Sequence, residues 1–167
     1  MTIPEAALLL AGFALAHAAW SISDVPEGEL LVPLAMVEEA GQRRLVRFED
    51  ATQEEAIRKG KAAMAELTAT ADAWAFAREG LMPEAGGKVD VFSVDFWAKG
   101  MREPATLIQR FEPFARRGKF RVIGQPELVV KGRVQESKAT EDLLPRIRAG
   151  IAQHQKVAAL WDTWSQE

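Results

Sequence analysis

Three short turn segments, Pro83 to Gly87, Lys99 to Pro104 and Pro113 to Gly118, cut the stretch from 70 to 130 into four β-rich runs. The runs cover about 70–81, 88–98, 105–112 and 119–130. Parallel neighbours need a crossover of roughly a dozen residues or more, and these connections are too short for one. The four runs therefore predict an antiparallel meander. Gly124 and Pro126 interrupt the last run, where a bend or bulge is expected.

The flanking segments add a hairpin and three helices. Leu30 to Val37 is continuously apolar, with Pro33 marking an edge strand or a bulge, and Arg43 to Phe48 returns after the turn at Glu38 to Gln42. Asp50 or Thr52 caps a helix over 52–67, where Ala56, Gly60, Ala63, Met64 and Leu67 recur at helical spacing. A last helix is expected from near Asp142, with Pro145 in its first turn. The predicted class is α+β: one domain over 1–167, with an antiparallel sheet of about six strands packed against N-terminal, middle and C-terminal helices. No internal repeat or linker divides it.

The first helix carries the question of targeting. Ala6 to Trp20 is apolar apart from Gly12 and His17. This run is shorter than the roughly 20 residues a membrane span needs. Ala14-Leu15-Ala16 and Ala16-His17-Ala18 resemble signal cleavage sites, but the first five residues carry Glu5 and no Lys or Arg. Thr2-Ile3-Pro4-Glu5 reads as a capping box, and Leu9, Phe13, Ala16 and Trp20 lie along one face. The expectation is a packed helix of a cytoplasmic protein, with secretion as the minor alternative.

Strand parity predicts the core. Pairing Trp74 with Phe96 and Phe76 with Val94 in the first hairpin sets Arg78 opposite Phe92. The next turns add Leu107, Phe111, Phe120 and Val122 to the same face. The opposite face then holds a row of alanines (Ala71, Ala73, Ala75, Ala77) together with Asp95, Trp97, Ile108, Arg110, Glu112, Arg121 and Ile123.

Composition removes several chemistries. With no Cys among 167 residues there is no disulfide frame, thiolate metal site or cysteine nucleophile, and two His leave little for a histidine-rich metal centre. Acidic residues outnumber basic ones by 24 to 21, a net charge of −3, which argues against nucleic-acid binding. Arg116-Arg117-Gly118-Lys119 with Arg121, bordered by Phe114 and Phe120, has the chemistry to take a phosphate or an RNA strand. A charged hairpin tip is more often simply solvated. The G-x-S-x-G, H-E-x-x-H, S-x-x-K, P-loop and G-x-G-x-x-G patterns are absent.

Two function classes remain. The first is a non-enzymatic interaction domain, most simply a homodimer formed through the C-terminal helix. Leu144, Ile147, Ile151, His154, Ala158 and Trp161 alternate by three and four, and Val157, Leu160 and Trp164 widen that stripe. The interface candidates are Ile147, Ile151, His154, Trp161 and Trp164. The alternative is a small-molecule binder or enzyme on the alanine-row face, with Asp95 as base, Arg110 or Arg121 as anion anchor and Trp97 as stacking wall. Asp90 and Asp95 are five residues apart and fall on opposite faces of a strand, so they do not form a carboxylate pair. His17 and His154 each read as a hydrogen-bonded core or interface histidine. No catalytic, cofactor-binding or metal-ligating set is assigned, and neither a membrane nor a cofactor is expected.

Overall fold

Ala40 and Gly41, both at positive φ (51° and 78°), close the first hairpin between β1 (Leu34–Glu39) and β2 (Gln42–Arg47). Lys131 and Gly132 (53° and 74°) do the same between β6 (Arg121–Val130) and a short β7 (Arg133–Val134). Between them run β3 (Ala73–Glu84), β4 (Gly87–Ala98) and β5 (Ala105–Glu112). All neighbours pair antiparallel in one seven-stranded sheet, in the order β2-β1-β3-β4-β5-β6-β7. The computed structural model describes residues 2–25, 29–114 and 118–165. The architecture is α+β as predicted, with one short strand more than the sequence implied.

The first meander register differs from expectation by one residue. Trp74 pairs with Trp97, Ala75 with Phe96, Phe76 with Asp95 and Ala77 with Val94. A one-residue slip exchanges the faces of a strand. Ala73, Ala75 and Ala77 therefore join Phe92, Val94, Phe96, Leu107, Phe111 and Val122 on the inner face, while Trp74 and Phe76 join Trp97 on the outer one. The later turns keep the expected parity, so Phe92 and Phe96 are buried as read, each at 0% exposure. Asp90 and Asp95 do lie on opposite faces.

Helices cover the two faces unequally. On the outer face α2 (Gln53–Leu67), capped by Thr52 Oγ1 accepting from Glu55 N at 3.1 Å, lies over β3. Gly60 permits this approach, because a Cβ there would collide with the Phe76 ring. On the inner face α1 (Glu5–Ile22) lies over β1, β3 and β4, where the alanine row leaves it room. Behind α1 packs α3 (Ser137–Ala152). A Cβ on Gly12 would meet the backbone of Ile147, and one on Gly150 the backbone of Leu9, so the two helices cross backbone to backbone.

This double cover explains why α1 is apolar on almost every side. Its outermost stripe is Leu9, Phe13, His17 and Trp20, whereas the expected face set Leu9, Phe13 and Trp20 inward. Its N-cap is Pro4, with no side-chain hydrogen bond, so the predicted Thr2–Glu5 capping box is not formed. By length and composition α1 could cross a membrane, yet 61% of it is buried within this fold.

The C-terminal helix begins at Ser137, five residues before the expected start, which puts Pro145 inside it. Glu141, whose carbonyl loses its donor to that proline, lies on the exposed side where water can serve. The helix then stops at Ala152, and α4 (Leu160–Ser165) follows a run of turns.

Candidate functional site

The outer-face residues singled out from sequence are held in cross-strand pairs. Asp95 accepts from Arg78 Nη1 at 2.9 Å through one oxygen and from Thr106 Oγ1 at 2.7 Å through the other. Arg110 donates to Glu84 at 2.7 and 2.9 Å and also pairs with Glu127. Those partners, Glu84 foremost, push its pKa above the usual guanidinium value. Arg121 reaches Glu112 at 3.3 Å. Such pairs contribute roughly 0.2–1 kcal/mol each and leave no idle base. Trp97 is 6% exposed, stacks on Trp74 and donates to the Met101 carbonyl at 2.9 Å. It is a core side chain and offers no stacking wall to a ligand.

The C-terminal seam is closed within the chain. Ile147 (1% exposed) and Ile151 (5%) are buried where the α3 backbone crosses α1 at Gly12, and Trp164 (8%) meets Phe120 edge-on at 4.9 Å. The heptad reading fails because helix ends where it needed helix. The His154 carbonyl accepts from Val157 N and Ala158 N, turning the chain so that Val157, at 0% exposure, and Trp164 fold back inside. Trp161 is half-buried, and Leu160 is exposed. His154 approaches His17, with Nε2 3.0 Å from Nδ1. Burial, then His154, then Arg47 lower the His17 pKa to about 4. The His154 pKa is also lowered, first by burial and then by Lys156.

Sequence spacing did not anticipate a second carboxylate neighbourhood. Glu79 pairs across β3–β4 with Phe92, and Leu81 with Asp90, which makes Glu79 and Asp90 diagonal neighbours on the inner face. Burial pushes the Glu79 pKa up, the Leu31 amide that donates to it pulls down, and Asp90 adds to the rise.

A concavity lies between the β5–β6 bulge and the α3–α4 turn. Strand pairing shifts register between Ile108 and Arg110, opposite Gly124 in the left-handed region at φ 68°. Gln109 sits at this break, 1% exposed. Its amide nitrogen donates to the carbonyls of Arg110, Ile123 and Gly124 at 3.0–3.1 Å. Turning the amide over would set its oxygen against three carbonyl oxygens, so the network fixes its orientation. The carboxamide oxygen is buried and has no partner among the described residues.

A cavity of about 420 Å³ opens beside it, lined also by Ile147, Ile151, Arg148, Trp161 and Asp162. Arg148 donates to Gln125 Oε1 at 3.1 Å. The wall presents acceptors, donors and apolar surface.

The sequence carried two signals for this site. Gly124 and Pro126 marked the bend, and alternation with Leu107 and Phe111 puts Gln109 on the inward side of β5, although the sequence reading did not single it out. Among the described residues no group of three His, Asp or Glu side chains is placed to hold a metal. Arg116 and Arg117 of the basic turn lie outside the described residues, so the anion reading of that turn does too. No protein-family model, no curated protein and no solved structure matches this chain.

Proposed function

We propose that this chain is a non-catalytic domain that binds a small organic molecule in the cavity between the β5–β6 bulge and the α3–α4 turn. The observation that carries this reading is Gln109, which lines the cavity and whose buried carboxamide oxygen has no partner among the described residues. A buried acceptor left unpaired costs about 1–3 kcal/mol, and a bound donor removes that cost. The volume, about 420 Å³, falls within the range of small-ligand sites. The test is protein-observed NMR against a set of small polar molecules. The expected result is that binders shift the Gln109 side-chain amide and the Trp161 indole together. Binders that leave both unmoved would overturn it, as would the absence of any binder.

A second reading is self-association, favoured by a different surface from the one the sequence pointed to. Leu30 (57% exposed) and Leu81 (58%) are exposed large apolar side chains, and a β1–β3 ladder continued past Leu34 and Ala77 would make them partners. Light scattering at micromolar concentration distinguishes the cases. Twice the chain mass, reduced to one by Leu81→Arg, supports the dimer, and a monomeric parent rejects it.

A further inference from the structure

We propose that the cavity takes a free amino acid whose apolar side chain ends in an N–H or O–H donor, of which tryptophan and tyrosine are the type. This rests on the cavity being a ligand site and names what the site selects.

Three features converge on that class. Arg148, from α3, and Asp162, from α4, both line the cavity, and neither has an ion pair among the described residues. One unpaired cation and one unpaired anion at a single concavity complement a zwitterion: a carboxylate for Arg148 and an ammonium for Asp162. A simple anion or a simple cation would meet one favourable and one unfavourable charge. Leu144, Ile147 and Ile151 line the same cavity and offer apolar wall for a hydrocarbon or aromatic body. Gln109 lines the same cavity, and its carboxamide oxygen, buried and without a partner among the described residues, is the atom left to take a donor, because the nitrogen of the same amide is already committed to three carbonyls. A ligand that carries a carboxylate, an ammonium, an apolar body and a further hydrogen-bond donor offers a partner to each of these groups.

Isothermal titration tests this on the full chain with L-tryptophan and L-tyrosine against three probes that each lack one feature. These are tryptamine without the carboxylate, indole-3-propionate without the ammonium, and L-phenylalanine without the distal donor. The two amino acids should bind, and each probe should bind roughly tenfold more weakly, as loss of one charge-assisted or buried hydrogen bond implies. Arg148→Gln and Asp162→Asn change exposed side chains and leave the fold intact, and each should weaken tryptophan by a similar factor. Probes that bind as tightly as the amino acids, or variants that bind them unchanged, would overturn the assignment. If other small molecules shift the Gln109 amide and the amino acids do not, the ligand class falls and the cavity reading stands. If nothing shifts that amide, both fall.

Discussion

His17 Nδ1 lies 3.0 Å from His154 Nε2, joining helix α1 to the end of α3 across 137 positions of sequence. The surroundings are apolar and cationic. Phe13 and Trp20 flank the rings, Arg43 lies over Phe13 at 4.6 Å, and Arg47 and Lys156 act on the pair electrostatically. His17 is thus held at about 4 when folded against 6.5 when free. Between those values the unfolded chain binds the proton and the folded chain does not, so acid favours unfolding. Stability should be flat above pH 6.5 and fall as the pH drops from 6.5 toward 4, with His154 adding in the same direction. Urea midpoints measured across that window check this, and His17→Phe should flatten the slope. A midpoint that rises on acidification would contradict it.

Gly12 and Gly150 let α1 and α3 touch through backbone. Gly12→Ala forces a methyl into the Ile147 carbonyl, which must move a whole helix, and overpacking of this kind costs about 1–3 kcal/mol. Gly80→Ala is the control, since its Cβ would meet nothing within 4 Å and the change should fall within about 0.5 kcal/mol. Equal midpoints for the two variants in denaturant unfolding would refute the close crossing.

Phe96 is wholly buried on the inner face beneath α1. Phe96→Ala should cost about 3–5 kcal/mol in the same measurement. A loss under about 1 kcal/mol would place that side chain outside the core.

The contrast between Phe96 and Trp74 shows what the sequence could and could not convey. Turn chemistry and run length were enough for an antiparallel meander, and the alternation of Phe92, Val94 and Phe96 identified an inward face. The partner strand 73–77 reads Ala-Trp-Ala-Phe-Ala, apolar at every position, because helices cover both of its faces. Periodicity therefore left its register free, and aromatic size was a misleading guide. The small residues face a helix backbone, and the large ones face α2, where Gly60 makes space. The C-terminal stripe failed for a related reason. Three–four spacing registers burial alone, and it looks the same whether the covering surface is a second chain or α1.

The site was less legible still, because Gln109, Arg148 and Asp162 meet only through the tertiary fold. The Gly124–Pro126 bend and a polar residue at an inward strand position were its local traces.

Gln109 also holds the bulge closed. Gln109→Leu keeps the bulk but strands the carbonyls of Arg110, Ile123 and Gly124, so it should destabilise the protein by about 1–3 kcal/mol. Amide hydrogen exchange should rise first around 108–110 and 122–125, where the pairing breaks register. Unchanged protection there would mean that the three hydrogen bonds do not secure the bulge.

The most direct measurement of the central claim is native mass spectrometry of the protein purified gently from its own host. Ligand binding at the Gln109 cavity predicts a retained small molecule on the unmodified chain, at reduced occupancy on Arg148→Gln and Asp162→Asn. The same spectrum reads whether one chain or two carry it. A bare chain mass, or an adduct that both variants keep at undiminished occupancy, would contradict the account.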